Sequence, residues 1–345
     1  MFSLLKFLRP LLGAERTHNL TVSLLYWIGK IPGAKWLMRK LYAVENPELE
    51  REVFGLRFRN PIGMAAGFDR NGEIFHQLGA LGFGFVEIGT VTPQPQTGNP
   101  KPRLFMLEKD CALMNRIGLN SKGLETVIMN LRKGAEGVVI GCNIGKNSAT
   151  DPMDAPHDYL KVFRNLYQYV DYFTVNVSYN TTFKQYVPRT RESIISILEP
   201  LFDFRRGQNQ YRPILLKISP DLSNEDIDMM TDIMVDTPLD GIVATNGTVR
   251  HQGLVTDSQV LKEYGAGAVS GKPLTKRSVE VVRRVYERSN GTYPIIGVGG
   301  IMTPQDAKAM LEAGATLVQI YTGYVYNGPN FVGDICKELL NTKQS

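Results

Sequence analysis

The sequence is poor in residues that bind metals or form disulfides. Its 345 residues include only three cysteines and four histidines, and these do not cluster. Cys111, Cys142 and Cys336 are far apart, their number is odd, and no CxxC motif is present. The spacing therefore predicts no metal site and no disulfide framework, and we expect reduced thiols.

Long hydrophobic runs are also missing. No apolar stretch reaches the roughly 18–20 residues that a membrane-spanning helix needs. Lys6 and Arg9 interrupt the apolar segment that a cleavable signal peptide would require. Neither a transmembrane helix nor a secretory leader is predicted.

The excess of positive charge is confined to the N-terminus. The net charge is +5, and residues 1–40 hold seven basic residues and one acidic residue, which leaves 32 basic and 33 acidic residues elsewhere. A nucleic-acid-binding protein usually spreads Lys and Arg over its binding face. Nucleic acid is therefore not an expected partner.

The basic N-terminus carries apolar residues at nearly helical spacing. They lie in segments 2–12, 20–28 and 34–41, interleaved with Lys and Arg. Basic amphipathic helices of this kind suit a membrane surface, so a peripheral membrane segment over residues 1–45 is predicted. The alternative is a pair of helices that packs on the rest of the chain or on another subunit.

From residue 60 onward one pattern repeats eight times: a short apolar run, then small or polar residues, then a helical stretch. Repeated strand–helix alternation predicts an α/β fold, a (β/α)8 TIM barrel over residues 46–345, with the helical segment 1–45 as an extension. A doubly wound open sheet is the alternative. The predicted strands are 62–65, 85–91, 138–144, 172–178, 214–219, 241–246, 294–300 and 317–323. The predicted helices are 73–81, 159–169, 191–202, 224–235, 276–289 and 304–313.

Polar or small residues follow every predicted strand, where a barrel places its active site. The last two strands end in GVGG and YTG, which predicts a phosphate site at Gly299, Gly300 and Thr322. Tight turns that need glycine are the alternative reading. The remaining strand-end residues are Gly67, Asp69, Arg70, Thr90, Asn143, Lys146, Asn176, Ser178, Lys217, Thr245, Asn246 and Tyr321.

Lys217 ends an otherwise apolar strand, ILLKIS. A buried lysine must pair with an anion or lose its charge. Beside a flavin it would offset the negative charge of the reduced ring, and otherwise it would pair with a carboxylate such as Asp221. Asn143 and Asn176 offer uncharged donors and acceptors that suit a planar heterocycle.

Several motifs together resemble those of dihydroorotate dehydrogenase. They include NPIGMAAGFDRNGE at 60–73, GFGFVEIGTVTPQPQTGNPKPRLF at 82–105, NRIGLNSKG at 115–123, NIGKN at 143–147, LLKISPDL at 215–222 and DGIVATN at 240–246. The resemblance runs from ERTHNLT at 15–21 to NGP at 327–329, and the N-terminal extension resembles that of the class 2, quinone-dependent enzymes.

The resemblance implies oxidation of dihydroorotate to orotate in pyrimidine biosynthesis, with FMN as hydride acceptor and a membrane quinone as final acceptor. It implies FMN contacts at Ala66, Gly67, Arg70, Thr90, Asn143, Asn176, Lys217, Thr245, Ala268, Gly299, Gly300, Tyr321 and Thr322. It implies a pyrimidine site at Arg70, Asn115, Arg116, Ile117, Gly118, Leu119, Asn176, Asn180, Thr181, Asn246 and Gly247. His18 and Met106 would lie on the quinone tunnel.

This chain departs from the family pattern at five places. Arg70 replaces a lysine, and Met106 replaces an arginine expected in the tunnel. Gly247 replaces a threonine, and Ala268 replaces a glycine. The fifth departure is the loop after the fourth strand, where the family's catalytic serine is expected. Without a gap Tyr179 takes that position; with a gap Asn180 and Thr181 match the family's N-T and Ser178 is the nearest serine.

Three alternatives to an active dihydroorotate dehydrogenase remain open at this point. They are a barrel flavoenzyme with another substrate, a flavin-binding homologue with impaired catalysis, and a non-redox barrel that binds a sugar phosphate. The expected location is the cytoplasmic side of a bacterial inner membrane, with mitochondria as the alternative.

Overall fold

Eight parallel strands pair side by side until the last meets the first, so that the sheet closes on itself. This is a computed structural model, and it describes residues 12–132, 134, 137–177 and 190–344. Within the described residues the chain also forms an antiparallel pair, β1 and β2, and a separate antiparallel sheet of β5, β6 and β11. The thirteen strands are β1 Arg51–Val53, β2 Leu56–Phe58, β3 Ile62–Met64, β4 Phe85–Val91, β5 Leu104–Leu107, β6 Ala112–Asn115, β7 Val139–Ile144, β8 Tyr172–Asn176, β9 Ile214–Ile218, β10 Gly241–Ala244, β11 Ala268–Gly271, β12 Ile295–Val298 and β13 Leu317–Ile320.

Helices surround the barrel and also precede it. The two that precede the barrel are amphipathic, and most of the others cover the outer face of the strands between which they run. The described helices are α1 Ala14–Ile28, α2 Ala34–Tyr42, α3 Phe75–Ala80, α4 Leu124–Leu131, α5 Ala155–Leu166, α6 Arg191–Arg206, α7 Asn224–Asp236, α8 Ser258–Tyr264, α9 Thr275–Arg288, α10 Pro304–Glu312, α11 Thr322–Asn327 and α12 Phe331–Gln344.

The predicted (β/α)8 TIM barrel is confirmed, and the alternative of an open sheet is wrong because the barrel closes in the order β10, β12, β13, β3, β4, β7, β8, β9. Several strands end earlier than predicted. At the end of β12, Gly299 and Gly300 have φ angles of 114° and 76°, which do not continue a strand. Thr245, after β10, still donates its N–H to Val298 O at 2.6 Å. Gly299 and Gly300 therefore leave the strand conformation at the rim of the barrel, whereas Thr245 still pairs with the neighbouring strand.

The sheet of β5, β6 and β11 was not predicted. β6 pairs with both neighbours, and β11 comes from a segment more than 150 residues later in the chain. The pairing is set by a long-range contact that local periodicity does not contain. This sheet stands beside the barrel opening and forms one wall of the cavities described below.

Helices α1 and α2 are amphipathic, as predicted for the N-terminal segment. Their outer side leaves large side chains in solvent, with Trp27 61% and Trp36 64% exposed. Leu25, in contrast, packs into the hydrophobic core. No helix in the described part of the chain is both long and apolar enough to cross a membrane. Residues 1–11, which hold most of the first predicted apolar segment, lie outside the described residues.

The barrel interior depends on glycines that make room for aromatic rings. A Cβ at Gly141 would lie 2.1 Å from Cζ of Tyr172, which is fully buried. Gly63 makes the same allowance for Phe85, whose ring atoms would lie 2.3 Å from an added Cβ. Each glycine therefore leaves the space that a neighbouring aromatic ring fills in the barrel core.

We expect Gly141→Ala to lower the free energy of unfolding by about 1–3 kcal/mol, because the added methyl group overpacks a filled barrel. Denaturant unfolding would measure the loss. Gly207→Ala is the matched control: its Cβ would meet only Phe204 O, at 3.6 Å. The control is expected to stay within about 0.5 kcal/mol of the wild type. Equal stability of the two variants would contradict the packing described here.

Candidate active site

Two cavities lie on either side of a shared wall. The rim cavity opens at the C-terminal ends of the barrel strands and has a volume of about 220 Å³. The helix cavity, of about 300 Å³, lies between helices α1 and α2 and the barrel. Leu104, Leu113 and Tyr321 line both cavities. Two bound molecules could thus come close to each other without sharing a site.

The rim cavity brings together nearly all the described residues that were predicted to bind a cofactor or a pyrimidine. Asn143 and Ala268 do not line it; both are completely buried behind its surface. Ser178, Tyr179, Asn180 and Thr181 lie outside the described residues. The predicted residues on the wall are Ala66, Gly67, Arg70, Thr90, Asn115, Arg116, Ile117, Gly118, Leu119, Asn176, Lys217, Thr245, Asn246, Gly247, Gly299, Gly300, Tyr321 and Thr322.

One end of the rim cavity is built from glycine backbone. A Cβ at Gly300 would lie 2.2 Å from Thr275 Cα, and a Cβ at Gly271 would lie 2.8 Å from Thr322 Cγ2. Helix α9 begins at Thr275, beside these glycines. Glycine backbone next to the start of a helix can form a site that favours a phosphate. Gly271 was not predicted, because it ends β11 rather than a barrel strand.

The floor of the rim cavity is a continuous chain of side-chain hydrogen bonds. Asn246 Nδ2 donates to Asn176 Oδ1 at 3.1 Å, and Asn176 Nδ2 donates to Thr90 Oγ1 at 3.4 Å. Thr90 Oγ1 donates to Asn143 Oδ1 at 2.6 Å. Asn143 Nδ2 then donates to Oε1 of Glu87 at 2.8 Å. The chain therefore runs from the cavity surface to one buried carboxylate.

Glu87 was not predicted as a site residue. It is the third residue of the seven-residue strand β4 and is completely buried inside the barrel. Its Oε2 accepts hydrogen bonds from Gln319 Nε2 at 2.7 Å, Thr174 Oγ1 at 3.1 Å and the Tyr172 hydroxyl at 3.3 Å. Charge inside a barrel is tolerated only when it is hydrogen-bonded in this way.

Lys217 is the fourth residue of the five-residue strand β9 and lines the rim cavity. Burial lowers the pKa of Lys217, and the negative charge of Glu87 opposes that shift. Asp221, the partner considered from the sequence, accepts hydrogen bonds from Thr248 Oγ1 and from the Val249 N–H, the latter at 2.8 Å. The carboxylate whose charge acts on Lys217 is therefore Glu87 and not Asp221.

Three buried polar atoms on the wall of the rim cavity have no hydrogen-bond partner among the described residues. They are Nη2 of Arg70, Oε1 of Gln319 and Oδ1 of Asn120. Such atoms cost free energy unless a ligand or water satisfies them. One is a cationic donor and two are amide oxygens, which accept hydrogen bonds. The three atoms together suit a ligand that has an anionic group and neutral donors.

The segment that carries Asn115 to Leu119 is tied to the N-terminal helix. Asn99 Nδ2 donates to Arg116 O at 2.7 Å, and Arg103 Nη1 donates to Asn99 O at 2.9 Å. Arg103 also donates to Glu15 of α1, with Nη2 and Oε1 2.9 Å apart. Because Arg103 is only 6% exposed, loss of Glu15 would leave a buried guanidinium without its carboxylate.

The helix cavity is mainly apolar, and both predicted tunnel residues, His18 and Met106, lie on its wall. The His18 ring packs edge-on against Phe68, with centroids 5.1 Å apart. Burial, together with the nearby charge of Arg70, lowers the pKa of His18 to about 3. His18 is therefore neutral at physiological pH and suits an uncharged ligand.

Comparison with known proteins gives relatives that all carry the same name. The family model for dihydroorotate dehydrogenase matches residues 48–342. A dihydroorotate dehydrogenase (quinone) of Christiangramia forsetii is 45% identical over 326 residues, which cover 94% of this chain and 94% of that protein. The corresponding Mycobacterium tuberculosis protein is 40% identical over 97% of this chain and 92% of its own length. The crystal structure of DHODH from Eimeria tenella in complex with ferulenol superposes with a TM-score of 0.87 and 33% identity, covering 98% of this chain and 94% of that one.

The lowered pKa of His18 predicts an acid-sensitive contact between α1 and the barrel. Above the unfolded-state pKa of about 6.5, the His18 ring is neutral in both the folded and the unfolded protein, and burying it carries no cost of deprotonation. Stability is lost as the pH falls through 6.5 towards 3, by at most about 1.4 kcal/mol per pH unit. We therefore expect the Tm of the wild type to fall more between pH 7 and pH 5 than the Tm of His18→Gln. His157→Gln, which removes a histidine whose side chain is 84% exposed, is the control. Equal losses in all three proteins would contradict the buried, neutral His18.

Proposed function

The chain belongs to the dihydroorotate dehydrogenase family, and from this we propose that it oxidises dihydroorotate to orotate and delivers the electrons to a quinone, a step of pyrimidine biosynthesis. The observation that carries the proposal is the pair of cavities that share one wall. The rim cavity is polar at its floor and has a glycine-lined end, and the helix cavity is apolar. A polar substrate and an apolar electron acceptor can thus each have a site.

FMN fits the rim cavity. Its phosphate would bind the glycine-lined end, at Gly271, Gly299, Gly300 and Thr322. Bound FMN supplies the two-electron chemistry that no protein side chain provides. In its charged form Lys217 would offset negative charge on the reduced ring; burial lowers the pKa of Lys217, and the negative charge of Glu87 opposes that shift. The remaining proposed contacts are Ala66, Gly67, Arg70, Thr90, Asn176, Thr245 and Tyr321 on the wall, with Asn143 and Ala268 behind it.

The pyrimidine would lie against the amides of Asn115, Asn176 and Asn246, and its negative charge would pair with Arg70. The unsatisfied Nη2 of Arg70 supports this role, because a guanidinium binds a carboxylate through strong charge-assisted hydrogen bonds. Arg116, Ile117, Gly118, Leu119 and Gly247 would complete the pocket with Asn180 and Thr181.

The base that removes the proton from the substrate is proposed within the loop after β8. Ser178 and Tyr179 are the two candidates, and both lie outside the described residues. Tyrosine serves as a base only if its pKa, normally about 10, is lowered. A general base contributes roughly 10²–10⁴-fold to the reaction rate. Ser178→Ala and Tyr179→Phe therefore distinguish the two candidates, because only the variant that lacks the base should slow substrate oxidation to that extent.

The quinone would enter the helix cavity. Neutral His18 and the apolar Met106 line this cavity, and Tyr321 separates it from the rim cavity. Met106 cannot donate the charge-assisted hydrogen bonds that an arginine would give. Quinone binding here would therefore depend mainly on apolar contact.

A peripheral position on a membrane, on the cytoplasmic side in a bacterium, would give the quinone access to that cavity. Trp27, Ile31, Trp36, Leu37 and Leu41 are all more than half exposed, and Lys30 lies over the Tyr26 and Trp27 rings. Large apolar side chains beside lysines, on helices too short to span a bilayer, are typical of segments that lie in its surface. The N-terminal unit 1–45 is accordingly proposed as the membrane and quinone segment, and 46–345 as the FMN-binding barrel.

Anaerobic mixing of the FMN-loaded protein with dihydroorotate tests the proposed reaction. We expect the visible flavin absorbance to bleach and to return when a quinone is added. Gly300→Ala should weaken FMN binding by at least about tenfold, or about 1.4 kcal/mol, because its Cβ would collide with Thr275.

Gly253→Ala is the matched control, since Gly253 has a similar φ of 83° and its Cβ would meet nothing within 4 Å. Failure of the wild type to bind FMN, or a flavin that dihydroorotate does not bleach, would overturn the proposed function.

Vesicle binding tests the membrane proposal. Trp27→Ser/Trp36→Ser should pellet with anionic phospholipid vesicles several-fold less than the wild type, because two apolar anchors are removed. Point variants are preferred to truncation, since truncation would also remove Glu15, the partner of Arg103. Tyr211→Ser, which removes an aromatic side chain 57% exposed on the barrel, should bind vesicles normally. If the double variant binds as the wild type does, this face is not the membrane contact.

A further inference from the structure

We propose that Glu87 is a positioning residue for the flavin and pyrimidine site: its buried carboxylate fixes the direction of the hydrogen-bond chain in the cavity floor. The proposal rests on the proposed function. Glu87 touches neither cavity, and it lies at residue 3 of the seven-residue strand β4 with no exposed surface. It would act only through other side chains.

The direction of the chain follows from the chemistry of its last member. An ionised carboxylate only accepts hydrogen bonds, so the group of Asn143 that faces Glu87 must be its amide nitrogen. Asn143 Oδ1 then faces Thr90, whose hydroxyl donates to it at 2.6 Å. The Thr90 oxygen is left to accept from Asn176 Nδ2, which turns Asn176 Oδ1 towards Asn246. One carboxylate thereby orients two amides that the proposed function places against the ligands.

The other three contacts of Glu87 support the ionised state. Gln319, Thr174 and Tyr172 can each donate a hydrogen bond, and all three approach the same oxygen, Oε2. Together with Asn143 they give four donors to one side chain. A carboxylate with several donors is stabilised in its charged form even when it is buried.

The test is the affinity of the purified FMN-loaded protein for orotate, measured by titration calorimetry. Glu87→Gln should bind orotate at least about tenfold more weakly than the wild type, because the introduced carboxamide could donate to Asn143 and reverse the chain. Thr174→Val is the matched control: it removes a neutral donor to the same carboxylate and should retain the wild-type affinity.

A swap variant covers the case in which Glu87→Gln does not fold. Glu87→Gln/Gln319→Glu keeps one carboxylate and one carboxamide in contact but places the charge on β13. The swap should fold, bind FMN and regain orotate affinity, because the carboxamide at position 87 would donate to the carboxylate at position 319 and accept from Asn143, which restores the direction of the chain. A Glu87→Gln holoprotein with the wild-type orotate affinity would overturn the proposal, as would a swap that does not fold or that binds orotate as weakly as Glu87→Gln. A wild type that dihydroorotate does not reduce would instead overturn the proposed function.

Discussion

A single carboxylate inside a closed barrel imposes the strongest constraint on this structure. Glu87 has no exposed surface and lies inside the closed barrel of eight strands. Its charge is tolerated because β7, β8 and β13 each supply donors, from Asn143, Thr174, Tyr172 and Gln319. The hydrogen-bond chain in the floor of the rim cavity therefore begins at this carboxylate in the barrel core.

The position of the helix cavity follows from the small sheet beside the barrel. Strands β5 and β6 supply Leu104 and Leu113, which with Tyr321 form the wall between the two cavities. The same sheet is joined to helix α1 through Arg103 and Glu15. Helix α1, which lines the helix cavity, is thus linked through Glu15, Arg103 and Asn99 to Arg116, which lines the rim cavity.

Much of the fold could be predicted because each barrel strand is a short apolar run that ends in polar or small residues. Lys217, Asn176 and Gly300 were found for the same reason, since they stand at strand ends where a barrel collects its ligands. Glu87 and Gly271 could not be found in this way. Glu87 is one acid within an apolar strand, and its partners come from strands far apart in sequence. Gly271 ends a strand of the small sheet, whose pairing is a long-range contact.

The most direct measurement of the central claim is neutron diffraction from crystals of the protein with FMN and orotate bound. The account predicts no proton on the Glu87 carboxylate, the amide groups of Asn143 and Gln319 facing it, and the Thr90 hydroxyl proton directed at Asn143. A proton on Glu87, or a Thr90 hydroxyl that donates to Asn176, would contradict the claim that this carboxylate orients the site.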